Sequence, residues 1–460
     1  MVDAEFPSGA RLAAGGGVVS VRVQPEVAST KPGKLPAVVD TTLPNGLRVL
    51  AARKPGVPMV QARLRIDVSK SRGWDEGVVE EIVGITILNG TDSRSQVEIA
   101  DELQRLGAVL QANVDVEDFY VMGGALAGEL PRFLALIADV VQHAAHPGDE
   151  VALAKAQAEQ GIAIMHSQPE LRAHYALAAR VFPGHVYGRP MPTPDLVAPI
   201  TRSAVRKFHR SMITPRAALL VLVGDLPPAK MVAAAAKAFE GWTGARKPAK
   251  TPTPDPVAPG PIQIVHQPGA VQTNMRFGGI GVNRAHPDFA ALTLATTILG
   301  GGFTSRLNSN LREDKGFTYG ASAALAHNLA ATQITTGADV QTAVTAPALV
   351  ETIYELGRMA TAPVSEEELA AAKRFLAGSL ALSVDTQAGL AGYLTALAVA
   401  GLDVSYLRAL PAAADKLTVD DVLAAAATYL SPARLAPVLV GDAEVIADAI
   451  GRISPVEVVG

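Results

Sequence analysis

Apolar residues recur at helical spacing through four long stretches: VEIADELQRLGAVL (97–110), LPRFLALIADVVQHA (130–144), SEEELAAAKRFLAGSL (365–380) and VDDVLAAAATYL (419–430). Positions three and four apart share one face of a helix, so each stretch predicts a helix with a buried stripe. Ser365, followed three residues later by Glu368, has the spacing of a capping box at the start of the third. Other stretches lack this period. VLVGD occurs twice, at 221–225 and 438–442, as a short apolar run ending in Gly-Asp, the pattern of a buried strand. GLRVLAARKPGVPMVQARLRI and IQIVHQPGAVQTNMRFGGI each read as strand, Pro-Gly turn, strand, and Pro44-Asn45-Gly46 adds a tight-turn signal to the first.

These signals repeat along the chain. Ile200-Thr201, Val205, Thr214-Pro215 and the first VLVGD recur as Leu417-Thr418, Val422, Ser431-Pro432 and the second VLVGD, at one offset of 217 residues. A period this long marks a duplicated domain, not a solenoid repeat. Between the copies, TGARKPAKTPTPDPVAPGPI carries six prolines from Pro248 to Pro261 and reads as an extended, exposed connector. The expected organisation is an N-terminal arm (1–35), a first domain (36–242), the connector (243–261) and a second domain (262–460). Grouped strands with long helices between them predict an α+β fold of two homologous domains, each a mainly antiparallel sheet with helices packed on one face.

Composition narrows the chemistry. The 460 residues are 49% apolar and 18% charged, with a net charge of −4, and no uninterrupted apolar run has the length of a membrane span. No basic stripe suits nucleic acid, and neither a nucleic-acid nor a membrane partner is expected. Cysteine is absent, which removes disulfides, thiolate metal sites and thiol nucleophiles; nine histidines and the carboxylates are the remaining metal donors. The N-terminal segment lacks the basic and apolar regions of an export signal. Cysteine-free composition fits a periplasmic protein, and a cytoplasmic one is the alternative.

His143 and His146 have metal-like spacing, but they end a helix before Pro147-Gly148, where imidazoles favour the helix dipole, and no third ligand is placed. Gly300-Gly301-Gly302 follows a helix, lacks the Gly-Lys-Ser/Thr ending of a phosphate loop, and reads as a helix-to-helix junction that could line a cleft. His185, in FPGHVYGRPMPTP, reads as a structural loop residue. In SRLNSNLREDKGFTYG (305–320), Arg306 and Arg312 fall on a short helix ending near Lys315-Gly316, and Tyr319 opens a strand. Two readings stay open there. One is a surface helix with solvated arginines and a half-buried tyrosine; the other is a guanidinium and a phenol brought together to donate to carbonyl oxygens or an oxyanion.

Together, LPNGLRVL, ILNGTDSRS followed by LQRLGAVLQANVDVEDFYV, FPGHVYGRPMPTP, the paired VLVGD strands and GGGFTSRLNSNLREDKGFTYG resemble the pitrilysin/insulinase (M16) family of zinc metallopeptidases, in its short, two-domain, dimer-forming branch. The resemblance extends from about Val38 to about Asp442. It implies that the helix in EEIVGITILNGT (80–91) corresponds to the one that carries H-x-x-E-H in active members, where two His bind zinc and Glu is the general base. Those slots fall here on Glu81, Gly84 and Ile85, and a further glutamate ligand falls near Gln160-Gly161, with Glu159 off register. By this resemblance the chain carries no metal ligands of its own. The family's Arg–Tyr pair falls on Arg312 and Tyr319, which are expected to bind substrate and stabilise the transition state. The resemblance therefore implies a heterodimer with a homologous zinc-bearing subunit, this chain forming half of a clamshell that encloses peptides or unfolded polypeptide. The alternative is an inert structural or peptide-binding subunit.

Overall fold

The structure, a computed structural model, describes residues 10–12, 18–20, 35–68, 76–246, 251–256 and 258–460. It divides into two compact units, Met1–Lys34 and Leu35–Gly460. In the first, Ala10–Leu12 (β1) pairs antiparallel with Val18–Ser20 (β2). The rest of the expected arm up to position 34, and residues 247–250 and 257 of the proline-rich connector, lie outside the described residues.

The second unit contains two six-stranded sheets. Its first half runs β3 (Val38–Thr42), β4 (Arg48–Arg53), β5 (Met59–Asp67), α1 (Glu76–Thr86), α2 (Gln96–Arg105), β6 (Val109–Val114), β7 (Asp118–Leu126), α3 (Leu130–His143), α4 (Gly148–Ser167), α5 (Pro169–Val181), α6 (Arg202–Met212), β8 (Ala218–Gly224) and α7 (Pro228–Ala238). The sheet order is β3-β4-β8-β5-β7-β6. The second half runs β9 (Ile262–His266), β10 (Gln272–Gly281), α8 (Phe289–Gly300), β11 (Ala321–His327), β12 (Thr332–Gln341), α9 (Thr345–Thr361), α10 (Glu366–Ser383), α11 (Gln387–Val399), α12 (Tyr406–Asp415), α13 (Val419–Tyr429), β13 (Ala436–Gly441), α14 (Ala443–Gly451) and β14 (Val456–Val459), with sheet order β11-β12-β10-β13-β9-β14.

The two orders superpose strand for strand over five positions: β6-β7-β5-β8-β4 against β11-β12-β10-β13-β9. In both, the VLVGD strand is antiparallel to one neighbour and parallel to the other. The sixth place is filled differently, by β3 from before the first copy and by β14 from the end of the second. Side chains repeat too. Thr201 and Thr418 cap α6 and α13 by accepting from Ala204 N and Asp421 N. Lys155 Nζ donates to Ala198 O and Ile200 O, as Lys373 Nζ does to Asp415 O and Leu417 O. The fold is α+β, as expected.

One exchange ties the halves together. α5, of the first half, packs across β10 and β13, while its counterpart α11 packs across β8 and β5. Leu390, Ala391, Leu394 and Ala398 of α11 bury against Leu50, Leu219, Val221 and Val223; Leu177 and Val181 of α5 bury with Ala436 and Val438. This second covered face explains why every residue of β8 and β13 is buried. At about 1.5–3 kcal/mol for each fully buried Val or Leu, the exchange makes the halves interdependent. Polar contacts fix both helices: Arg172 of α5 donates to Gln267 Oε1 and His266 O, and Gln387 of α11 donates to Lys54 O and Val57 O. The connector is held by Arg180, which donates to Pro259 O and Pro261 O, and by His185 Nε2 against Pro252 O.

Candidate functional site

The Arg312–Tyr319 junction is built from the turn after α8 to the start of β11. Residues Asn308–Asp314 form a short π-helical segment, with Lys315 N bonded to Asn310 O. Such widened turns occur often at functional sites. The segment ends at Gly316, whose φ of +64° lies in the left-handed region that favours glycine, and Phe317 N closes the turn on Leu311 O. The helix end read from the sequence at Lys315-Gly316 is where the structure has it.

Arg312 of this segment and Arg306, two residues before it, part company. Arg306 is buried and makes a two-pronged ion pair with Glu368, Nε to Oε1 at 2.6 Å and Nη2 to Oε2 at 2.9 Å. The hydrogen bonds from Arg306 hold the Glu368 carboxyl down at about 2. The same carboxylate closes the capping box of α10, accepting from Ser365 N at 2.8 Å. Arg306 is therefore committed to structure. Arg312 is half-buried, and its guanidinium carbon lies 3.9 Å from the ring centroid of Phe303, in cation–π contact; Glu313 Oε1 is 3.4 Å from its Nε.

Tyr319 exposes 95% of its surface and Phe303 69%. The tyrosine stands two residues before β11, not within it, and it is open to solvent, unlike the half-buried ring that a plain surface helix predicts. Its backbone is nevertheless anchored on both sides. Thr318 Oγ1 donates to Asp339 O at 2.7 Å, and Ala321 is bonded at both N–H and C=O by the buried side chain of Asn308. Nothing in the sequence singled out Asn308 or Phe303. Arg312, held against Phe303, and the exposed phenol of Tyr319 seven residues on are donors suited to peptide carbonyls and to an oxyanion.

The helix α1 presents Glu81 and Ile85, one turn apart, on an accessible face. Gly84 faces inward: a Cβ there would come within 2.9 Å of Val114 Cγ2 on the edge strand β6. α4 packs against α1 and exposes Glu159, Gln160 and Gly161. Among the described residues no group of three His, Cys, Asp or Glu side chains converges as a metal site. The residues at these slots do not fit zinc: Ile85, at a ligand slot, has no ligating atom, and Gly84, at the slot of the general base, has no side chain.

The remaining candidates settle into structural roles. His146 is fully buried, with Nδ1 2.8 Å from Thr86 Oγ1 and Nε2 2.7 Å from His209 Nδ1, while His209 Nε2 meets Val141 O at 2.9 Å. Burial pushes His146 down to about 3. His185 accepts from Tyr187 N and holds the connector. The glycine run joins α8 to the π-helical segment, as a junction between helices.

A second polar cluster was not legible from sequence. The tip of the β6–β7 hairpin meets the tip of the β11–β12 hairpin, its counterpart in the other half. Glu117 accepts from Tyr187 OH and from Leu329 N (2.8 Å), and Tyr187 OH accepts from Ala330 N (2.9 Å). Burial raises Glu117 to about 7 and the neighbouring Asp118 to about 6, although Arg65 pairs with Asp118. A cavity of about 330 Å³ lies between the tips, lined by Asp115, Glu117 and Asp118 on one side and by Arg284 and His327 on the other.

Comparison with known proteins agrees with this architecture. Residues 82–195 match the family described as Insulinase (Peptidase family M16), and residues 199–376 match the Peptidase M16 inactive domain. An uncharacterized zinc protease of Mycobacterium leprae is 27% identical over 302 residues, covering 65% of this chain and 68% of that protein. One from Mycobacterium tuberculosis is 28% identical over 289 residues, covering 62% and 66%. In three dimensions the chain is similar to a peptidase M16 inactive domain from Pseudomonas fluorescens, with a TM-score of 0.82, 25% identity, and coverage of 88% of this chain and 98% of that one. A Helicobacter pylori protease shares the fold, with a TM-score of 0.80 at 20% identity over 88% of this chain and 100% of that one. The two matched domains lie side by side over more than half of the sequence, and the chain belongs to the M16 (insulinase) peptidase family.

Proposed function

We propose that this chain is the non-zinc-binding subunit of a heterodimeric M16-type peptidase. It pairs with a homologous subunit that carries zinc and the general base, and the two form a clamshell around a peptide or unfolded segment. This chain supplies Arg312, which forks onto the carbonyls of the bound strand, and Tyr319, which donates to the oxygen that gains charge as the peptide bond is attacked.

One observation carries this reading. The Arg312–Tyr319 junction is held rigid from below, by Asn308, Thr318 and Phe303, while the phenol has 95% of its surface in solvent and no hydrogen-bond partner among the described residues. A side chain so exposed adds little to folding, so its anchored backbone suits a partner outside the chain. The slots at Glu81, Gly84 and Ile85 support a partner as the source of metal and base.

The test is reconstitution with a homologue of similar length that retains H-x-x-E-H. The equimolar mixture is expected to elute near twice the mass of either chain and to cleave unfolded peptides, with neither chain active alone. Full activity from the zinc-bearing chain by itself would overturn complementation and leave this chain as an inert structural or peptide-binding subunit.

A further inference from the structure

We infer that Asn308 is a positioning residue that sets where Tyr319 stands relative to Arg312; the inference rests on the role proposed for that pair. Asn308 belongs to the same π-helical segment as Arg312, one turn earlier, and is buried. Its Oδ1 accepts from Ala321 N at 3.0 Å and its Nδ2 donates to Ala321 O at 2.8 Å. Nδ2 also serves Gly302 O at 3.0 Å and Ser305 Oγ at 3.1 Å. One carboxamide thus joins the glycine turn, the segment that bears Arg312 and the first residue of β11.

The chemistry is specific. β11 is the edge of its sheet, and Ala321 directs its N–H and C=O away from β12. Asn308 occupies that edge as a neighbouring strand would, giving a donor and an acceptor to one residue. Only a carboxamide of this length does both: aspartate would accept from Ala321 N but repel Ala321 O, and an apolar side chain would leave both groups unpaired in a buried place.

Tyr319 hangs between two anchors. Thr318 ties it to Asp339 of β12, and Ala321, two residues on, is tied to Asn308. The first anchor fixes the tyrosine to its own sheet. On the N-terminal side Phe317 N already meets Leu311 O, so Asn308 is the tie to the Arg312 segment on the C-terminal side of the phenol. Without Asn308 the phenol keeps its exposure and its fold but loses half of what sets its register against the guanidinium. A displacement of about 1 Å at a transition-state donor can cost on the order of 10²-fold, and the Thr318 anchor limits the loss.

The experiment uses the full chain, alone and reconstituted with the zinc-bearing homologue. In Asn308→Ala alone, hydrogen exchange at the Ala321 amide is expected to accelerate at least about tenfold. In the complex, kcat is expected to fall about tenfold with KM unchanged, because Arg312 stays on its Phe303 platform. The decisive arm is the pair with Tyr319→Phe: if Asn308 acts through the phenol, adding Asn308→Ala to Tyr319→Phe lowers kcat no further. Asn308→Asp, equal in size and keeping the acceptor, serves where Asn308→Ala does not fold, with the same non-additivity expected. Accelerated exchange with wild-type kcat, or losses that multiply, would overturn the inference while leaving the pair's role intact. Wild-type turnover in Tyr319→Phe would instead remove the proposed role itself, and the positioning role with it.

Discussion

The guanidinium carbon of Arg312 lies over the ring of Phe303, 3.9 Å from its centroid, and Phe303 in turn exposes 69% of its surface. An exposed ring that spends one face on a cation fixes a long, flexible side chain at small cost. Cation–π contacts at exposed sites contribute about 0.5–1 kcal/mol. Phe303→Ala is therefore expected to raise KM by about 2–5-fold in the reconstituted complex, with kcat nearly unchanged and the melting temperature within experimental scatter. Phe303→Trp should keep KM at the wild-type value. Steady-state kinetics on the two variants decides, and equal KM values would mean the stack does not hold Arg312 for substrate.

Tyr319→Phe removes one oxygen from a side chain that is almost wholly in solvent. Folding and dimerisation should be untouched. By analogy with other oxyanion donors, kcat should fall about 10²-fold, or roughly 3 kcal/mol, with KM little changed. A thermal melt and steady-state kinetics on the same preparation separate the two effects. A melt lowered in step with turnover would argue for a packing role.

The Arg306–Glu368 pair predicts an acid-sensitive contribution to stability. Arg306 is buried, but Glu368 is only partly so, and solvent screening reduces the pair to about 1–3 kcal/mol. The carboxyl is held at about 2, below its ordinary value near 4.5. Its contribution is thus fully present above about pH 4.5 and is lost as pH falls toward 2. Arg306→Met should lower the melting temperature at pH 7 and converge with the wild type over that acid window. A difference that stays constant down to pH 2 would contradict the assignment.

Much of this architecture could be read from the chain, and the parts that could not share a cause. The 217-residue offset, the Ser365–Glu368 capping box and the helix end at Gly316 are all local or periodic, and each appears where it was expected. Periodicity says that a face is buried but not by what. So α5 and α11 were legible as chain segments, while their exchange between sheets was not. All-apolar β8 and β13 carried the one available hint, since a strand buried on both faces needs a second covering layer. Asn308 and the Glu117–Tyr187 bond escaped for a related reason: a polar residue in the sequence looks solvated until its partner, 13 or 70 residues away, is brought to it.

Glu117 and Asp118 set an opposite pH dependence. Both are buried and raised, to about 7 and about 6, so the folded protein holds protons that the unfolded chain has released. Stability is expected to fall as pH rises from about 4 to about 7, where both states are finally ionised. The groups facing them include Arg65, Asp67, Asp115, Tyr120 and Tyr187. Glu117→Gln removes the buried charge and keeps one acceptor oxygen, enough for Leu329 N or Tyr187 OH but not for both. It should stabilise the protein at pH 8 by about 1–3 kcal/mol and flatten the pH profile between about 5 and 7. Denaturant melts at pH 5 and pH 8 measure both; a larger gain at pH 5 than at pH 8 would reverse the sign and refute the account.

Glu81 and Ile85 are accessible and one turn apart, so histidines at both positions are expected to be tolerated. Gly84 is the obstacle. Any side chain there drives its Cβ to 2.9 Å from Val114 Cγ2, and overpacking of this kind typically costs about 1–3 kcal/mol. Glu81→His with Ile85→His should leave the melting temperature nearly unchanged. Adding Gly84→Glu should lower it by several degrees, and adding Val114→Ala to that should recover most of the loss. Metal analysis of the wild-type chain should find well under one zinc per chain, since Ile85 offers no donor atom at a ligand slot. The measurements are thermal melts of the series in the presence of a chelator, then zinc content by atomic spectroscopy. If Gly84→Glu is tolerated without Val114→Ala, the packing of β6 against α1 is not what keeps this position small, and the absent base has no structural consequence.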